Sequence, residues 1–177
     1  DGEARGACHR RCQRLRAAAK RGCRIVVFNR LRERGLERFA HPQSARDMLT
    51  GSSTAIASRY WQPRIGGALA VATGMLKALL ERDAFDCAFI AQYTLGFEAL
   101  ADSLHATDWA RIEAHAGLPR AVLEEAAAIY AASDATILCW GMGITQHRRS
   151  VATIQMLMNL LLARGNIGKP GAGPCPV

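Results

Sequence analysis

Residues 135–165 constrain the fold more than any other part of the chain, because they join a short apolar run to an apolar helix through a glycine-rich turn. Residues 135–140, Ala-Thr-Ile-Leu-Cys-Trp, predict a buried strand, and residues 151–164 predict a helix that the next glycine ends. The turn between them, Gly-Met-Gly-Ile-Thr-Gln-His at 141–147, follows the carboxyl end of the strand. Open α/β sheets bind ligands at that edge, so we expect this turn to contact a ligand.

Elsewhere the chain alternates helical patterns with short apolar runs, which is typical of α/β proteins. A helix at 7–21, closed by a glycine, precedes a predicted strand at 24–28, and residues 54–58 predict a weaker second strand. Loops are predicted at 30–38 and 60–67, and irregular structure in the glycine-rich stretch 165–173. Further helices are expected over residues 68–82, 85–93, 96–104, 108–112 (with Thr107 as N-cap) and 119–132.

Three loops follow strands or begin helices, and in a parallel sheet such loops gather at one edge. We therefore expect residues 29–33, 66–68 and 141–147 to line a single pocket. Gly66 and Gly67 leave backbone amides exposed at a helix start, which suits phosphate. Asn29 offers a donor and an acceptor to a ribose or a base, and Gln146 offers the same to the edge of a heterocycle.

Each of these features also has a purely structural interpretation. Asn29 is compatible with a simple strand end, and the Gly66-Gly67 pair with a flexible start to its helix. Gln146 and His147 are compatible with a polar helix start, and Met142 with packing.

The formal net charge of +8 lies entirely within residues 1–40, where eleven Arg and one Lys face four acidic residues. A solvated arginine-rich helix face is the favoured interpretation, followed by binding of a phosphorylated ligand. Nucleic acid is disfavoured because the segment lacks interleaved aromatic residues that stack on bases.

The six cysteines are too scattered for a disulfide scaffold or a zinc ribbon. The Cys8 and Cys12 pair is compatible with only half a metal site, so we predict no metal. Cys23 and Cys139 are expected to be small buried hydrophobes, and a reducing, cytoplasmic location fits best. No membrane span is predicted. The start at Asp1 suggests a segment of something longer or a trimmed chain.

Catalytic chemistry has little support in the residues themselves. The five histidines are dispersed, and neither a nucleophile elbow nor an HExxH pattern occurs. The glycine motif does not match GxGxxG, so a nicotinamide-binding fold has weak support.

Residues 135–147 and 160–173, taken together, resemble the molybdopterin oxidoreductases, most closely the formate dehydrogenase alpha-subunit type. The likeness extends through residues 24–34, 66–80, 85–90 and 96–98 and covers about residues 13–177. It leaves residues 1–12 as a divergent basic segment.

The resemblance implies a partial, helix-rich domain with a Rossmann-like parallel sheet and flanking helices, which holds one molybdopterin guanine dinucleotide. It implies guanosine contacts in the segment after the first strand, at Asn29, Arg30, Leu31, Arg32 and Glu33. It implies similar contacts at the loop before the long helix, at Gly66, Gly67 and Ala68. The glycine motif is then expected to approach the pterin through Gly141, Met142, Gly143 and Gln146.

The chain departs from the family pattern in two places. Ala68 replaces a common acidic residue, which removes a carboxylate able to bind a hydroxyl or a guanine edge. Arg30 replaces a common proline and restores a donor and a charge. The family's 4Fe-4S cysteine motif and its metal-ligating Cys or selenocysteine lie outside this chain, so we assign no catalytic and no metal-binding residue.

The expected function is therefore cofactor positioning for two-electron redox chemistry at molybdenum or tungsten in a larger enzyme, and whether the chain itself is an enzyme stays open. The expected partners are the remaining domains of that oxidoreductase and an electron-transfer protein. Two alternatives are an inactive remnant or structural fragment and a generic NAD-type nucleotide-binding domain.

Overall fold

The computed structural model describes residues 12–40, 49 and 53–177, and the chain divides into two compact units at Gln62 and Pro63. The predicted boundary between a divergent segment at 1–12 and a domain at 13–177 lies at the edge of the described residues and stays a prediction. Cys8 lies outside them.

The first unit begins with a helix, α1, whose described residues are 12–20, followed by Gly22 in a left-handed conformation with φ of 87°. Its other elements are β1 (Val26–Phe28), α2 (Arg34–Glu37), β2 (Arg38–Phe39), β3 (Thr54–Ala55) and β4 (Arg59–Trp61). β1 pairs in parallel with β4, and β2 pairs antiparallel with β3. A small core of Cys12, Phe39 and Ile56, packed against Leu15 and Ile25, stabilises this unit by burying apolar surface.

Two loop predictions for the first unit are wrong in part. The weak strand predicted at 54–58 is confirmed only over Thr54–Ala55, where it pairs with β2, whereas the parallel partner of β1 is β4, in a stretch predicted as loop. Tyr60 and Trp61 are good strand formers, and the Phe28 and Trp61 rings pack in a tilted arrangement with 5.2 Å between their centroids. A loop was predicted at 60–67 because this stretch contains Pro63, Gly66 and Gly67, which are typical of loops. The charged loop at 30–38 also contains the short helix α2 and the strand β2.

The second unit packs around the helix α3 (Ala68–Glu81), which contacts four of its other helices. Its remaining elements are α4 (Cys87–Tyr93), α5 (Phe97–Ala106), α6 (Trp109–Ala116), α7 (Arg120–Ala131), β5 (Ile137–Trp140), α8 (Met142–Thr145), α9 (Ser150–Leu162) and β6 (Gly173–Pro176). Leu76 and Leu79 of α3 are fully buried. At Gly74, a Cβ atom would lie 2.7 Å from Leu123 Cδ1, so glycine permits the close approach of α7. The predicted helices of this unit are confirmed with small shifts at their ends.

The N-cap of α6 differs from the prediction. Asp108 occupies the N-cap position, whereas Thr107 ends the preceding helix and its hydroxyl donates to the Ser103 carbonyl at 2.7 Å. Thr107 therefore satisfies a carbonyl group of α5 rather than an amide group of α6.

The strand after α7 is less buried than predicted. β5 pairs in parallel with β6, which was not predicted because its residues include Gly173 and two prolines. Trp140 is buried, but Ile137 is 57% exposed and Cys139 is also exposed. Cys23 is exposed as well, so the expectation that both cysteines are buried hydrophobes is wrong.

The described residues therefore form a mixed, helix-rich α/β structure with small parallel sheets. Their strands make three two-stranded sheets, so the expected continuous Rossmann-like sheet is not formed among them. None of the helices in this part of the chain is long and apolar enough to cross a membrane.

Candidate functional site

The glycine motif is a strand end followed by a single helical turn. Gly141 is extended, with φ of −116° and ψ of −165°, and residues 142–145 form α8. The Gln146 amide N–H donates to the Met142 carbonyl at 2.8 Å, and the Gln146 Nε2 group donates weakly to Met142 Sδ at 3.7 Å. Met142 is 66% exposed, so it is not the packing residue that the structural interpretation requires. The two side chains thus form an exposed, mutually contacting pair.

Gly143 has no structural reason within the described chain to be glycine. Its φ is not positive, and a Cβ atom placed on it would meet nothing within 4 Å. Glycine in a helical turn costs about 0.5–1 kcal/mol relative to alanine. A ligand that approaches the backbone closely at this position would explain why residue 143 is glycine.

The Gly66-Gly67 pair is specific rather than flexible. Gly66 is left-handed, with φ of 77°. At Gly67, a Cβ atom would lie 2.9 Å from the His115 carbonyl oxygen and 3.0 Å from the Ala116 carbonyl oxygen. Gly67 is the N-cap of α3 and provides no side chain to its first amide groups, and Ala68 begins the helix. The start of α3 therefore retains the amide donors and the positive dipole end that favour an anion.

The glycine motif and the Gly66 loop come together through His147. The His147 Nε2 atom lies 3.1 Å from the Cβ position of Gly66. The Arg149 backbone N–H donates to His147 Nδ1 at 3.2 Å, so the proton of a neutral imidazole lies on Nε2, which faces the Gly66 loop. The sequence-based grouping of these two loops is supported at this point.

A cleft of about 300 Å³ opens beside Gly66. Four of the residues that line it carry basic side chains: Arg64, His115, His147 and Arg149. The Arg64 side chain is oriented by donation to the Ala114 carbonyl at 2.9 Å. The cleft has the size and charge for a phosphate-bearing part of a ligand.

Sequence reasoning did not select Arg64 or Arg149, and it considered His115 only among the dispersed histidines. His147 lay within the loop 141–147 that was expected to line the pocket, but no ligand contact was assigned to it. The consecutive arginines at 148 and 149, directly after the glycine motif, were the available signal.

The third predicted loop, residues 29–33, belongs to the first unit and is held by β4. The Tyr60 hydroxyl donates to the Leu31 carbonyl at 2.6 Å, and Gln62 Nε2 donates to the Arg30 carbonyl at 2.8 Å. Asn29 Nδ2 donates to Glu33 Oε1 at 2.7 Å, which leaves the amide oxygen of Asn29 and the second carboxylate oxygen of Glu33 for other partners.

Arg32 and Leu31 of this loop differ in their contacts. Arg32 pairs with Glu37 at 3.0 Å and stacks over the Tyr60 ring at 5.9 Å, whereas Leu31 is 70% exposed. These contacts within the first unit hold the loop to β4 and α2. Among the described residues, no group of three or more His, Cys, Asp or Glu side chains is arranged to hold a metal ion.

No protein-family model matches the chain. Individual proteins do match, and two of them match over almost all of it. The chain is 46% identical over 173 residues to the YdeP protein of Escherichia coli, which is 92% of this chain and 23% of that protein. It is 37% identical over 169 residues to an uncharacterised oxidoreductase of Mycobacterium tuberculosis, which is 92% of this chain and 22% of that protein.

Two more comparisons extend the relationship. The chain is 33% identical over 112 residues to formate dehydrogenase H of Escherichia coli, which is 63% of this chain and 16% of that enzyme. The structure matches acetylene hydratase from Pelobacter acetylenicus with a TM-score of 0.73 at 22% sequence identity, over 89% of this chain and 19% of that enzyme. The structural match shows a shared fold. The chain spans less than a quarter of the length of each of these proteins.

Proposed function

We propose that this chain, a homologue of one segment of the formate dehydrogenase-like molybdopterin oxidoreductases, holds a molybdopterin guanine dinucleotide in a larger oxidoreductase. In the second unit, the loops at 66–68 and 141–146 are proposed to bind and orient that cofactor. The loop at 29–33 of the first unit is proposed separately as a guanosine contact. Because the chain covers about a fifth of its relatives, the activity of the whole protein is part of the proposal.

The observation that carries the proposal is the unexplained glycine at position 143. The folded chain neither requires a positive φ there nor lacks room for a side chain. An exposed backbone beside Met142 and Gln146 suits a flat heterocycle such as a pterin, which needs close approach and edge hydrogen bonds. The residues present therefore fit the group.

The basic cleft beside Gly66 supports the same ligand, because a dinucleotide carries a diphosphate. Arg149 supplies a guanidinium, and His147 Nε2 supplies an N–H donor that faces the Gly66 loop. The amide groups at the start of α3 add further donors. We assign a phosphate of the dinucleotide to this cleft.

The Asn29 and Glu33 pair is the proposed guanosine contact of the first unit. A carboxylate accepts well from the paired N–H groups of guanine, and the Asn29 amide holds Glu33 in position at 2.7 Å. Ala68 provides no carboxylate to share this role.

When bound, the cofactor supplies two-electron redox chemistry at molybdenum or tungsten. The residues of this chain bind, orient and neutralise it, and none is assigned to a reacting atom. Formate is the substrate named for one relative and remains a proposal for the whole protein, as do a 4Fe-4S cluster and an electron-transfer partner.

Binding of GDP to the purified chain, measured by calorimetry, tests the nucleotide half of the proposal. Arg149→Gln is expected to weaken GDP about tenfold, which is the effect of losing ~1.4 kcal/mol of charge-assisted hydrogen bonding. Arg82→Gln is the matched control, because Arg82 ends α3 roughly 20 Å from the cleft at the start of that helix. Equal loss in both variants would contradict the assignment of the cleft.

The pterin half of the proposal is tested by measuring how much pterin cofactor the chain retains after expression in a host that synthesises this cofactor. Gly143→Ala is expected to reduce retained pterin, measured by mass spectrometry, while GDP affinity is unchanged. NAD that binds as tightly as GDP would support a generic nucleotide-binding domain instead. Absence of both ligands from a sample that unfolds cooperatively would contradict a cofactor-binding module.

A further inference from the structure

Two cysteines face each other across the parallel pair β5 and β6. Cys139 is the direct register partner of Cys175. Neighbouring strands lie about 4.8 Å apart, which is within the Cα separation of roughly 4.4–6.8 Å that a disulfide accepts. Both cysteines are free in the structure. The backbone therefore already places the two residues at a distance that an oxidised pair requires.

The two side chains also point the same way. Residues opposite each other in a parallel pair extend to the same face of the sheet, and Cys139 shares its face with the exposed Ile137. Cys139 is exposed, and Cys175 is partly buried. A small oxidant can reach at least one thiol, and the other is in position to complete the bond.

We propose that Cys139 and Cys175 form a reversible disulfide by exchange with a low-molecular-weight disulfide such as oxidised glutathione. One protein thiolate attacks the oxidant to form a mixed disulfide and releases one glutathione thiol. The second protein thiolate then attacks the protein sulfur of that mixed disulfide and releases the other. The pair loses two hydrogens, and one glutathione disulfide becomes two thiols.

The position of the pair gives the bond a structural effect. β5 runs directly into Gly141, and the Val177 amide donates to the Trp140 carbonyl at 2.9 Å, so β6 stays paired up to the glycine motif. A covalent link between the strands holds β6 against β5 at this point. The link also makes a closed loop of the residues between the two cysteines, which lowers the conformational entropy of the unfolded state.

The exchange is expected to be slow at neutral pH. Partial burial of the thiol and the neighbouring Cys175 raise the pKa of Cys139 to about 11, so little thiolate is present there. The rate of closure should therefore rise steadily as the pH is raised above neutrality.

The test treats the folded full chain with oxidised glutathione, blocks the remaining thiols with N-ethylmaleimide and maps tryptic peptides by mass spectrometry. Cleavage after Arg120, Arg148 and Arg164 places the two cysteines on separate peptides, 121–148 and 165–177. We expect these peptides to be joined, lighter by two hydrogens than their sum, and separated again by dithiothreitol. The oxidised protein should melt about 5–10 °C higher.

Cys87→Ser is the matched control, because Cys87 is an exposed thiol on α4 and its removal should leave the linked peptides unchanged. Cys139→Ser and Cys175→Ser should each abolish the link and leave glutathione on the remaining cysteine. The variants Cys139→Ala and Cys175→Ala repeat this test with a different side chain. Circular dichroism of each variant shows whether it is still folded, so that loss of the disulfide is distinguished from loss of the fold. The proposal is overturned when both cysteines of the folded protein carry glutathione without linking, or when denatured protein links them equally well.

Discussion

Replacing Asn166 with alanine is expected to weaken the second unit strongly, because its side chain joins three segments inside the core. Asn166 is only 1% exposed. Its Oδ1 atom accepts from the Thr136 amide at 3.1 Å, and its Nδ2 group donates to the Tyr130 hydroxyl at 2.9 Å. That hydroxyl donates in turn to the Leu160 carbonyl at 2.7 Å. The side chain thus ties the start of β5 to α7 and α9.

The magnitude follows from the groups that the substitution leaves without partners. The partly buried Thr136 amide loses its acceptor, which costs about 1–3 kcal/mol, the upper end being that of a fully buried donor. The Tyr130 hydroxyl keeps its own acceptor and loses one donor, which adds roughly 0.5–1 kcal/mol. The total loss in the free energy of unfolding is therefore about 1.5–4 kcal/mol.

Urea denaturation followed by circular dichroism measures this loss. Asn159→Ala is the matched control, since Asn159 is a half-buried residue of α9, and the change is expected to stay within about 0.5 kcal/mol. The variants Asn166→Ala and Tyr130→Phe should also be less than additive, because they remove the same hydrogen bond. A loss below about 0.5 kcal/mol for Asn166→Ala, with an unchanged denaturant slope, would refute the reasoning.

Three further predictions concern the same unit. Gly67→Ala should cost about 1–3 kcal/mol in urea denaturation, because its Cβ would lie 2.9 Å from the His115 carbonyl oxygen. Gly143→Ala should leave stability unchanged or raise it by up to about 1 kcal/mol, so an equal loss at both glycines would contradict the proposed role of position 143. Burial raises the pKa of Tyr130 to about 12, whereas an unfolded tyrosine titrates near 10. The folded state therefore holds this proton more tightly, and the associated stability is complete below about pH 10 and lost as the pH rises toward 12. Relative to Tyr130→Phe, the unmodified protein should lose about 1.4 kcal/mol between about pH 9 and about pH 11, and parallel pH profiles would contradict this.

Helix positions were predictable because their signals are local. The apolar residues of α3 recur at helical spacing, and α7 begins beside a proline and is rich in alanine and leucine. The strand-turn-helix block at 135–165 was found for the same reason. The resemblance to formate dehydrogenase-like proteins drew on that block, and the comparisons confirm the homology.

The short strands were harder to predict because their partners lie far away in the chain. β4 and β6 each have three or four residues next to prolines or glycines, and neither shows a pattern of its own. Parallel pairing with β1 and β5 makes them strands. For the same reason, the exposure of Cys139 depends on what covers the sheet and not on the apolar run around it.

The properties of the candidate site also fall into two groups, those given by the sequence and those given by the tertiary structure. Sequence alone determined which loops carry glycines and amides suited to a nucleotide, since backbone freedom and hydrogen-bonding groups belong to the residues themselves. Only the tertiary structure decided that His147 lies over Gly66, that four basic side chains share one cleft, and that Gly67 is required by packing whereas Gly143 is not. These properties depend on distances between residues far apart in the chain, which the packing of α3 against its neighbouring helices sets.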